Sequence, residues 1–254
     1  MIESAEILNW KQLQYSVCRL LNEIGLSAKE EVALATPRGT VEVDVFAIDE
    51  LSVDKIKYVV ECKCWASAIP QHVIHSFTTV MHETGANIGL IISKVGLQAG
   101  AERYTRNTNI IGLTFEALQI RYFEQWWRRH FCKVVAAKAE KVCFYTEPFN
   151  ITRDKALANL DVDKFERFVS IQRNYGAFAM LMWHADLILM APHLGQPIPS
   201  SIEQYKNNFV EKIGIHLVFG SIFWRDLLEE ICTRLEEIER ELHQIFGGDL
   251  FAEY

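Results

Sequence analysis

The chain has 254 residues, and its 33 Asp and Glu residues outnumber its 26 Lys and Arg residues, so the formal net charge is −7. Half of the residues are hydrophobic, and 15 Phe, 8 Tyr and 6 Trp exclude a chain that is disordered along most of its length. A chain of this size folds either as one large domain or as two smaller ones.

The beginning of the chain predicts a protein that stays in the cytoplasm. Residues 1–6 carry no basic start and lead into no apolar stretch, so no secretory signal is expected. The six cysteines are then expected to be reduced thiols. The longest apolar stretch, residues 175–192, contains His184 and Asp186 and is short for a bilayer span, which predicts a buried helix and no membrane partner.

The first half of the chain mixes helical and strand patterns. Apolar residues recur every three or four positions from Ile7 through Trp10 to Ile24, which predicts a helix that ends at Gly25. Residues 40–48 alternate between apolar and polar, as a half-buried strand does. The predicted order is helix, three strands, helix, strand, helix, strand, over residues 7–24, 31–35, 40–48, 57–63, 73–81, 87–93, 97–106 and 110–113. This order predicts an α/β fold, a mixed sheet with helices on both faces.

The second half of the chain has a helical pattern throughout. Residues 115–141 form an aromatic-rich helical stretch, and residues 145–150 interrupt it. Further helices are expected from near Asp161 and over residues 175–191, followed by a Pro- and Gly-containing loop at residues 192–199. We therefore predict two domains, residues 1–145 and an all-helical domain over residues 146–254.

The last helix carries apolar residues at alternating spacings of three and four, namely Leu228, Ile231, Leu235, Ile238, Leu242 and Ile245. This spacing is typical of a coiled-coil seam. The seam can pack against its own helical domain or pair with a second copy of the chain. From the sequence we predict a homodimer or a larger assembly through these C-terminal helices.

Three polar residues in the predicted hairpin carry the chemistry. Side chains two positions apart on a strand share a face, so Glu61 and Lys63 point the same way, and pairing of the two strands can bring Asp44 to that face. The alternative is an exposed ion pair and a solvated Asp44. The apolar strand around the pair argues against it, because charges inside a sheet are costly unless they are paired or bound to metal.

Two carboxylates on adjacent strands form an oxygen-only site that suits Mg²⁺ or Mn²⁺ and leaves positions for water and a phosphate oxygen. The ammonium group of Lys63 beside such an ion could orient a water molecule and offset charge on the phosphate. The predicted reaction is metal-assisted hydrolysis of a phosphodiester.

The stretches that contain these residues resemble a known family. In order they are residues 39–44 (GTVEVD), 59–65 (VVECKCW), 85–93 (GANIGLIIS), 96–101 (GLQAGA) and 111–115 (IGLTF). Together they resemble the Mrr-type restriction endonuclease domain of the PD-(D/E)XK nuclease superfamily, over about residues 5–120.

The resemblance implies a restriction-endonuclease-like fold and a metal-dependent catalytic set of Asp44, Glu61 and Lys63, with the backbone carbonyl of Cys62 as a further metal ligand. It also implies cleavage of foreign or modified double-stranded DNA, in restriction or anti-phage defence with other defence proteins as partners. Many members of the family carry a Glu in the first helix, where this chain has Gln14, which offers an oxygen but no negative charge.

Two other functions stay open at this stage. One is a non-catalytic nucleic-acid-binding or scaffold subunit that keeps the nuclease fold. The other is an RNA nuclease, because the sequence shows no motif that reads bases or 2′-hydroxyl groups.

Three residues near the predicted sheet are further candidates. Gln71 begins the helix after the catalytic strand, where its amide could orient water or phosphate as part of the catalytic set. Ser93 and Lys94 follow a buried strand, at the sheet end where ligands collect, and are predicted to contact the nucleic-acid backbone.

The chain has one basic segment, residues 121–141, which contains six Lys and Arg residues but only two Glu residues. Arg128 and Arg129 follow Trp126 and Trp127 there, and guanidinium groups with aromatic rings suit a phosphate backbone and unstacked bases. An amphipathic helix that buries its Trp side and solvates its Arg side explains the same pattern. We predict nucleic-acid contacts for Arg128 and Arg129.

Overall fold

The structure is a computed structural model that describes residues 1–187, 198–213 and 217–252. The chain divides into two compact units, Met1–Trp126 (unit 1) and Trp127–Tyr254 (unit 2). The boundary predicted from the sequence, near residue 145, falls in the last turn of a helix of unit 2.

Unit 1 contains one five-stranded sheet flanked by helices. The strands are β1 (Ser27–Thr36), β2 (Gly39–Ile48), β3 (Lys57–Lys63), β4 (Ile88–Ser93) and β5 (Ile110–Thr114), and the helices are α1 (Trp10–Glu23), α2 (Gln71–Thr84), α3 (Ala99–Thr105) and α4 (Phe115–Trp126). The strands lie side by side in chain order. β1, β2 and β3 are antiparallel neighbours, whereas β3, β4 and β5 are parallel. The predicted mixed sheet is confirmed.

The sheet core explains why the central strands are apolar. Val59 of β3 and Ile91 of β4 are fully buried in one cluster with Ile74 and Phe77 of α2. Gly89 to Ser93 of β4 are all buried, as expected for a strand covered on both faces. The parallel arrangement places the carboxyl ends of β3, β4 and β5 at one edge of the sheet, which is where ligands bind in sheets of this kind.

The start of the first helix differs from the prediction. α1 begins at Trp10, and the Asn9 side chain caps it by accepting a hydrogen bond from the Gln12 N–H. Ile7 is buried outside the helix, whereas Trp10, which the periodicity placed on the buried stripe, is 52% exposed. The first turn of a helix is poorly determined by periodicity, because its packing depends on the segment that precedes it.

Unit 2 is helical in the parts that the structure describes. A π-helical turn, Trp127–Phe131, leads into α5 (Cys132–Thr146), which is followed by α6 (Ile151–Leu157), α7 (Val162–Trp183), a short 3₁₀ turn at His184–Asp186, α8 (Ile202–Ile213) and α9 (Trp224–Phe246). None of the helices in these ranges is long and apolar enough to cross a membrane.

One long helix replaces two predicted ones. Asp161 caps α7 as expected, and the helix then continues without a break to Trp183. The end of the predicted helix at residue 191 and most of the loop after it lie outside the described residues.

The seam of the last helix is covered inside unit 2. All six of its apolar side chains are at most 5% exposed, and α9 packs against α5 and α7 of the same chain. The seam therefore packs within its own helical domain, which is one of the two alternatives that the sequence left open, and assembly through other surfaces of the C-terminal helices stays a prediction. Spacing alone could not decide this, because helix packing within a domain and a coiled coil use the same apolar spacing.

Candidate active site

The strand that carries Asp44 is irregular at this residue. β1 pairs with β2 at Glu30 and Val45 and again at Val32 and Val43, but no pair is formed between Glu31 and Asp44. Glu31 has a φ of 52°, in the left-handed region that residues with a side chain rarely adopt. Such local strain is often found at functional sites. The regular β1–β2 ladder thus has a gap opposite Asp44.

Asp44 is held by two hydrogen bonds that are not part of the β1–β2 ladder. Its carboxylate accepts one from the Cys62 backbone N–H, with an Oδ2 to N distance of 2.6 Å. Its backbone carbonyl accepts one from the side-chain amide of Gln14 in α1, at 2.6 Å. The β2–β3 ladder itself is described only as far as Val45 and Val60. The Asp44 side chain therefore joins the two strands just beyond the last regular pair.

Glu61 and Lys63 form an ion pair at the end of β3. Their side chains are 26% and 24% exposed, so both are partly removed from water. When the β2–β3 register is extended by one position, Asp44 lies opposite Glu61. Residues directly opposite in an antiparallel pair share a face of the sheet. The fold thus brings the three predicted residues to one place.

A cleft of about 490 Å³ opens beside this group. Asp44 and Lys63 line it, with the strand end around Cys62. Glu61 does not line the cleft itself and is connected to it through its ion pair with Lys63. The other walls of the cleft come from the start of α1 with the residues before it, and from the segment after β3. They are formed by Leu8, Asn9, Trp10, Cys64 and Trp65.

Cys62 lies between Glu61 and Lys63, and its thiol is buried and held in the protonated form. The side chain is 7% exposed, and burial raises its pKa well above the usual value, with the charges of Asp44 and Glu61 adding to the effect. A thiol must lose its proton to bind a metal ion well. The resemblance assigns the backbone carbonyl of Cys62, and not its thiol, to the metal site.

Gln14 lies directly behind Asp44. The residue is 1% exposed, and while its Nε2 is bound to Asp44, its Oε1 is buried without a hydrogen-bond partner in the described structure. A buried amide oxygen without a partner costs free energy. It is a neutral oxygen next to the carboxylate cluster, at the helix where many Mrr-type domains carry Glu.

The comparison of the chain with known families agrees with this geometry. Residues 5–120 match the family model of the Mrr catalytic domain, which is described as a restriction endonuclease. Residues 5–120 are an Mrr-like restriction endonuclease domain. They include the whole sheet of unit 1 together with α1, α2 and α3. The resemblance seen in the sequence is confirmed over residues 5–120.

Two further comparisons add little about function. The chain is similar to the crystal structure of a protein of unknown function, AF1548, with a TM-score of 0.40 and 14% sequence identity, over 94% of this chain and 100% of that one. A likeness this distant does not indicate an activity. No curated protein has significant sequence similarity to the chain.

Gln71 of the Mrr-like domain begins α2 as predicted, but its amide is directed to neighbouring helix residues. Its Nε2 lies 3.2 Å from the His75 ring nitrogen, and a Cβ atom added to Gly100 of α3 would lie 3.0 Å from its Oε1. The side chain is exposed and does not line the cleft. A role in orienting water stays a prediction that would require the amide to turn.

Ser93 and Lys94 lie next to each other but differ in access. Ser93 is 1% exposed, and its hydroxyl accepts a hydrogen bond from the Gly96 N–H at 2.8 Å, which closes the turn after β4. This geometry favours a structural role for Ser93 over the predicted phosphate contact. Lys94 is exposed, and its Nζ lies 3.4 Å from the carbonyl of Ile7, the residue before Leu8 of the cleft wall.

The tryptophans of the basic segment are buried. Trp126 is fully buried and its indole N–H donates to Glu23 at 2.7 Å, whereas Trp127 is 4% exposed and stacks on Phe131 with ring centroids 4.2 Å apart. These rings cannot stack on bases, so the amphipathic interpretation of the two tryptophans is correct. Arg128 is half-buried and Arg129 exposed, both in unit 2, and their nucleic-acid contacts stay a prediction.

One group in the described residues of unit 2 has metal-ligand spacing. Glu239, His243 and Asp249 of unit 2 place one ligand atom each within 4.8 Å of the others. Asp249 already accepts hydrogen bonds from Lys141 at 2.5 Å and from the Phe251 N–H at 2.8 Å. The group is therefore explained as part of the polar contacts that hold the C-terminal segment.

Proposed function

We propose that unit 1 is an endodeoxyribonuclease that depends on Mg²⁺ or Mn²⁺ and hydrolyses phosphodiester bonds of double-stranded DNA, with Asp44, Glu61 and Lys63 as catalytic residues. The observation that carries the proposal is the hydrogen bond from the Cys62 N–H to Asp44, because it ties Asp44 to the strand segment that bears Glu61 and Lys63. The family match makes restriction or anti-phage defence the expected setting.

The residues present fit a hard divalent cation. The Asp44 carboxylate uses Oδ2 for Cys62, and the Glu61 carboxylate uses Oε1 for Lys63, which leaves one oxygen of each for a metal ion. With the Cys62 carbonyl, these oxygens form the donor set that Mg²⁺ and Mn²⁺ prefer. Two carboxylates and one ammonium group leave a net charge of −1, which favours a cation.

The chain's own groups would then position the reactants. Asp44 and Glu61 would hold a divalent ion, which would supply Lewis acidity and make a water molecule more acidic. Lys63 donates hydrogen bonds toward the phosphate and offsets the negative charge that develops in the transition state. The Glu61 carboxylate keeps the Lys63 ammonium group at the end of β3, so that it faces the cleft before substrate arrives.

We assign contacts to the nucleic-acid backbone to Lys94 of unit 1 and to Arg128 and Arg129 of unit 2. Lys94 is exposed, and its Nζ lies at the Ile7 carbonyl, next to Leu8 of the cleft wall. Arg128 and Arg129 are proposed to add backbone contacts, and Gln71 is proposed to orient water when its amide leaves His75. For unit 2 as a whole we infer a role in assembly or control of the nuclease, with other defence proteins as partners, because the family match ends at residue 120.

Cleavage by a Lys63→Ala variant tests the proposal. We expect wild type to cut plasmid DNA with Mg²⁺ and not with a chelator, and Lys63→Ala to lose at least about 100-fold in rate with an unchanged melting temperature. Lys57→Ala is the matched control, since Lys57 is an exposed lysine at the other end of the same strand. Methylated and unmodified plasmids are compared side by side, because the nature of the preferred DNA is part of the question.

Three outcomes would overturn the assignment. Equal cutting by wild type and Lys63→Ala would mean that the activity lies elsewhere. Cleavage of RNA but not DNA in a parallel digest would identify an RNA nuclease. Absence of cleavage, together with no heat of Mn²⁺ binding that depends on Asp44, would identify a non-catalytic subunit that keeps the nuclease fold.

A further inference from the structure

Two tryptophans of unit 1 are unusually exposed. Trp10 is 52% and Trp65 is 41% exposed. The chain has six tryptophans, of which Trp126, Trp127 and Trp224 are at most 4% exposed and Trp183 is half-buried. Leaving a large aromatic ring in water forgoes the stabilisation that its burial would provide. Exposed apolar surface of this kind tends to mark a binding site.

Both exposed rings line the same cleft. Trp10 is the first residue of α1 and Trp65 follows the end of β3, so they enter the cleft from two distant parts of the chain. Asp44 and Lys63 line that cleft as well. Neither position needs tryptophan for the fold, because the cap of α1 is made by Asn9 and Trp65 lies outside β3.

The rings are accompanied by cations. The Lys11 Nζ lies 4.6 Å from the centroid of the Trp10 ring, and the Lys63 Nζ lies 5.9 Å from that of the Trp65 ring. Lys11 is also paired with Glu31, and the Lys94 Nζ lies 3.4 Å from the carbonyl of Ile7, the residue before Leu8 of the cleft wall. Aromatic faces interleaved with lysines are the combination that binds the bases and the phosphates of a single strand. An apolar protein partner would not need these charges.

The size of the cleft limits what can enter it. Its volume of about 490 Å³ is in the range of pockets that hold one small molecule, roughly 300–1,000 Å³. In an intact duplex the bases are stacked on their neighbours, so a tryptophan at the cleft wall cannot reach the face of a base. A nucleotide whose base has left the stack can present that face.

We propose that Trp10 and Trp65 form a base-stacking subsite in the catalytic cleft, which takes an unstacked base next to the phosphate that is cut. This inference rests on the proposed nuclease function and changes its preferred substrate from double-stranded DNA in general to DNA that offers an unpaired base. The preferred DNA is then single-stranded or locally unpaired, such as a flap, a bubble or a frayed end, and a continuous duplex is cut where a base can be extruded.

Binding measurements test this separately from cleavage. All proteins in this experiment carry Glu61→Gln, so that the proposed nuclease activity cannot degrade the probe. The affinity is measured for a short fluorescent single strand and for the perfect duplex of the same sequence. We expect Trp10→Ala and Trp65→Ala each to weaken single-strand binding roughly 5- to 150-fold. Trp10→Phe and Trp65→Phe keep a stacking face and should recover most of that loss.

Tyr15→Ala is the matched control, because Tyr15 is a 54% exposed aromatic residue of the same helix α1 that does not line the cleft. It should leave binding unchanged. A fluorescent adenine analogue in the single strand gives a second readout, since stacking on a ring quenches its emission. The quenching should disappear in the double Trp10→Ala and Trp65→Ala variant.

Several results would overturn the proposal. Equal affinity of wild type and both alanine variants for the single strand would exclude a stacking subsite, even if Lys63-dependent cleavage is found. A preference for the perfect duplex would do the same. If the alanine variants change only the oligomeric state, the rings belong to an interface between copies. A different result would separate the two proposals. If Lys63→Ala cuts DNA as fast as wild type while Trp10→Ala and Trp65→Ala still weaken single-strand binding, the stacking subsite is retained and the proposed nuclease site is rejected.

Discussion

The carboxylate of Asp44 accepts a hydrogen bond from the backbone N–H of Cys62, the residue between Glu61 and Lys63. This contact lies just beyond the last regular pair of β2 and β3, Val45 and Val60. The Asp44 carboxylate is thus held in place by a hydrogen bond of its own. The same group that is proposed to bind a cation also connects β2 to β3. Charge and hydrogen bonding at Asp44 can therefore be separated by substitution.

Asp44→Asn is expected to keep the fold and lose the metal ion. The asparagine oxygen can still accept from the Cys62 N–H, so the free energy of unfolding should stay near the wild-type value. Asp44→Ala leaves that N–H without its partner and should cost about 1–3 kcal/mol. Urea unfolding measures the free energy of unfolding of each variant, and calorimetry with Mn²⁺ measures its metal affinity. Wild-type Mn²⁺ affinity in Asp44→Asn would contradict the proposed ligand set.

Gln14→Glu is expected to make stability depend on metal. A carboxylate cannot donate to the Asp44 carbonyl, and it would place a further negative charge at a position that is 1% exposed. Without metal the variant should lose about 1–3 kcal/mol, and Mn²⁺ should restore part of the loss, because the new carboxylate faces a cationic partner. Gln14→Leu is the control, since it removes the same donor without adding a ligand. The melting temperatures of Gln14→Glu and Gln14→Leu are measured with a chelator and with Mn²⁺. An equal effect of Mn²⁺ on both melting temperatures would contradict a metal ion near α1.

Leu235→Ala is expected to destabilise unit 2 rather than separate two copies. Leu235 is fully buried in the seam of α9. Its truncation should cost about 2–5 kcal/mol. Glu241→Ala on the exposed side of α9 should change stability by less than about 0.5 kcal/mol. Urea unfolding at two protein concentrations is the measurement. A midpoint that rises with concentration in wild type and not in Leu235→Ala would show that the seam holds an assembly after all.

The contact of Lys141 with Asp249 is expected to weaken in acid. Burial alone would raise the pKa of Asp249, but hydrogen bonds from Lys141 and the Phe251 N–H outweigh it and lower this pKa. A carboxyl with a lowered pKa stabilises the fold above its unfolded value, about 3.9, and the stabilisation is lost as pH falls through the folded value. Melting temperatures of wild type and Asp249→Asn should therefore differ most near neutral pH and converge below about pH 4. A difference that is constant with pH would exclude this origin.

The local patterns of the sequence were sufficient for the elements of unit 1 and for the candidate residues. Alternation along residues 40–48 and the apolar run before Glu61 predict two strands, because side-chain direction on a strand repeats every two residues. The charged residues stand out there because a buried strand seldom carries them. The same residues belong to the motif that resembles the Mrr-type family, so the nuclease class could be recognised before the fold was seen.

Tertiary structure decided which faces are covered. The apolar spacing in α9 is the same for a helix buried in its own domain and for one side of a coiled coil, and only the position of α5 and α7 shows that it is covered. Trp10 and Trp126 look equally apolar in the sequence, yet one lines an open cleft and the other is buried against Glu23. Periodicity reports how a segment divides into two faces, whereas exposure depends on elements far away in the chain that pack on one of them.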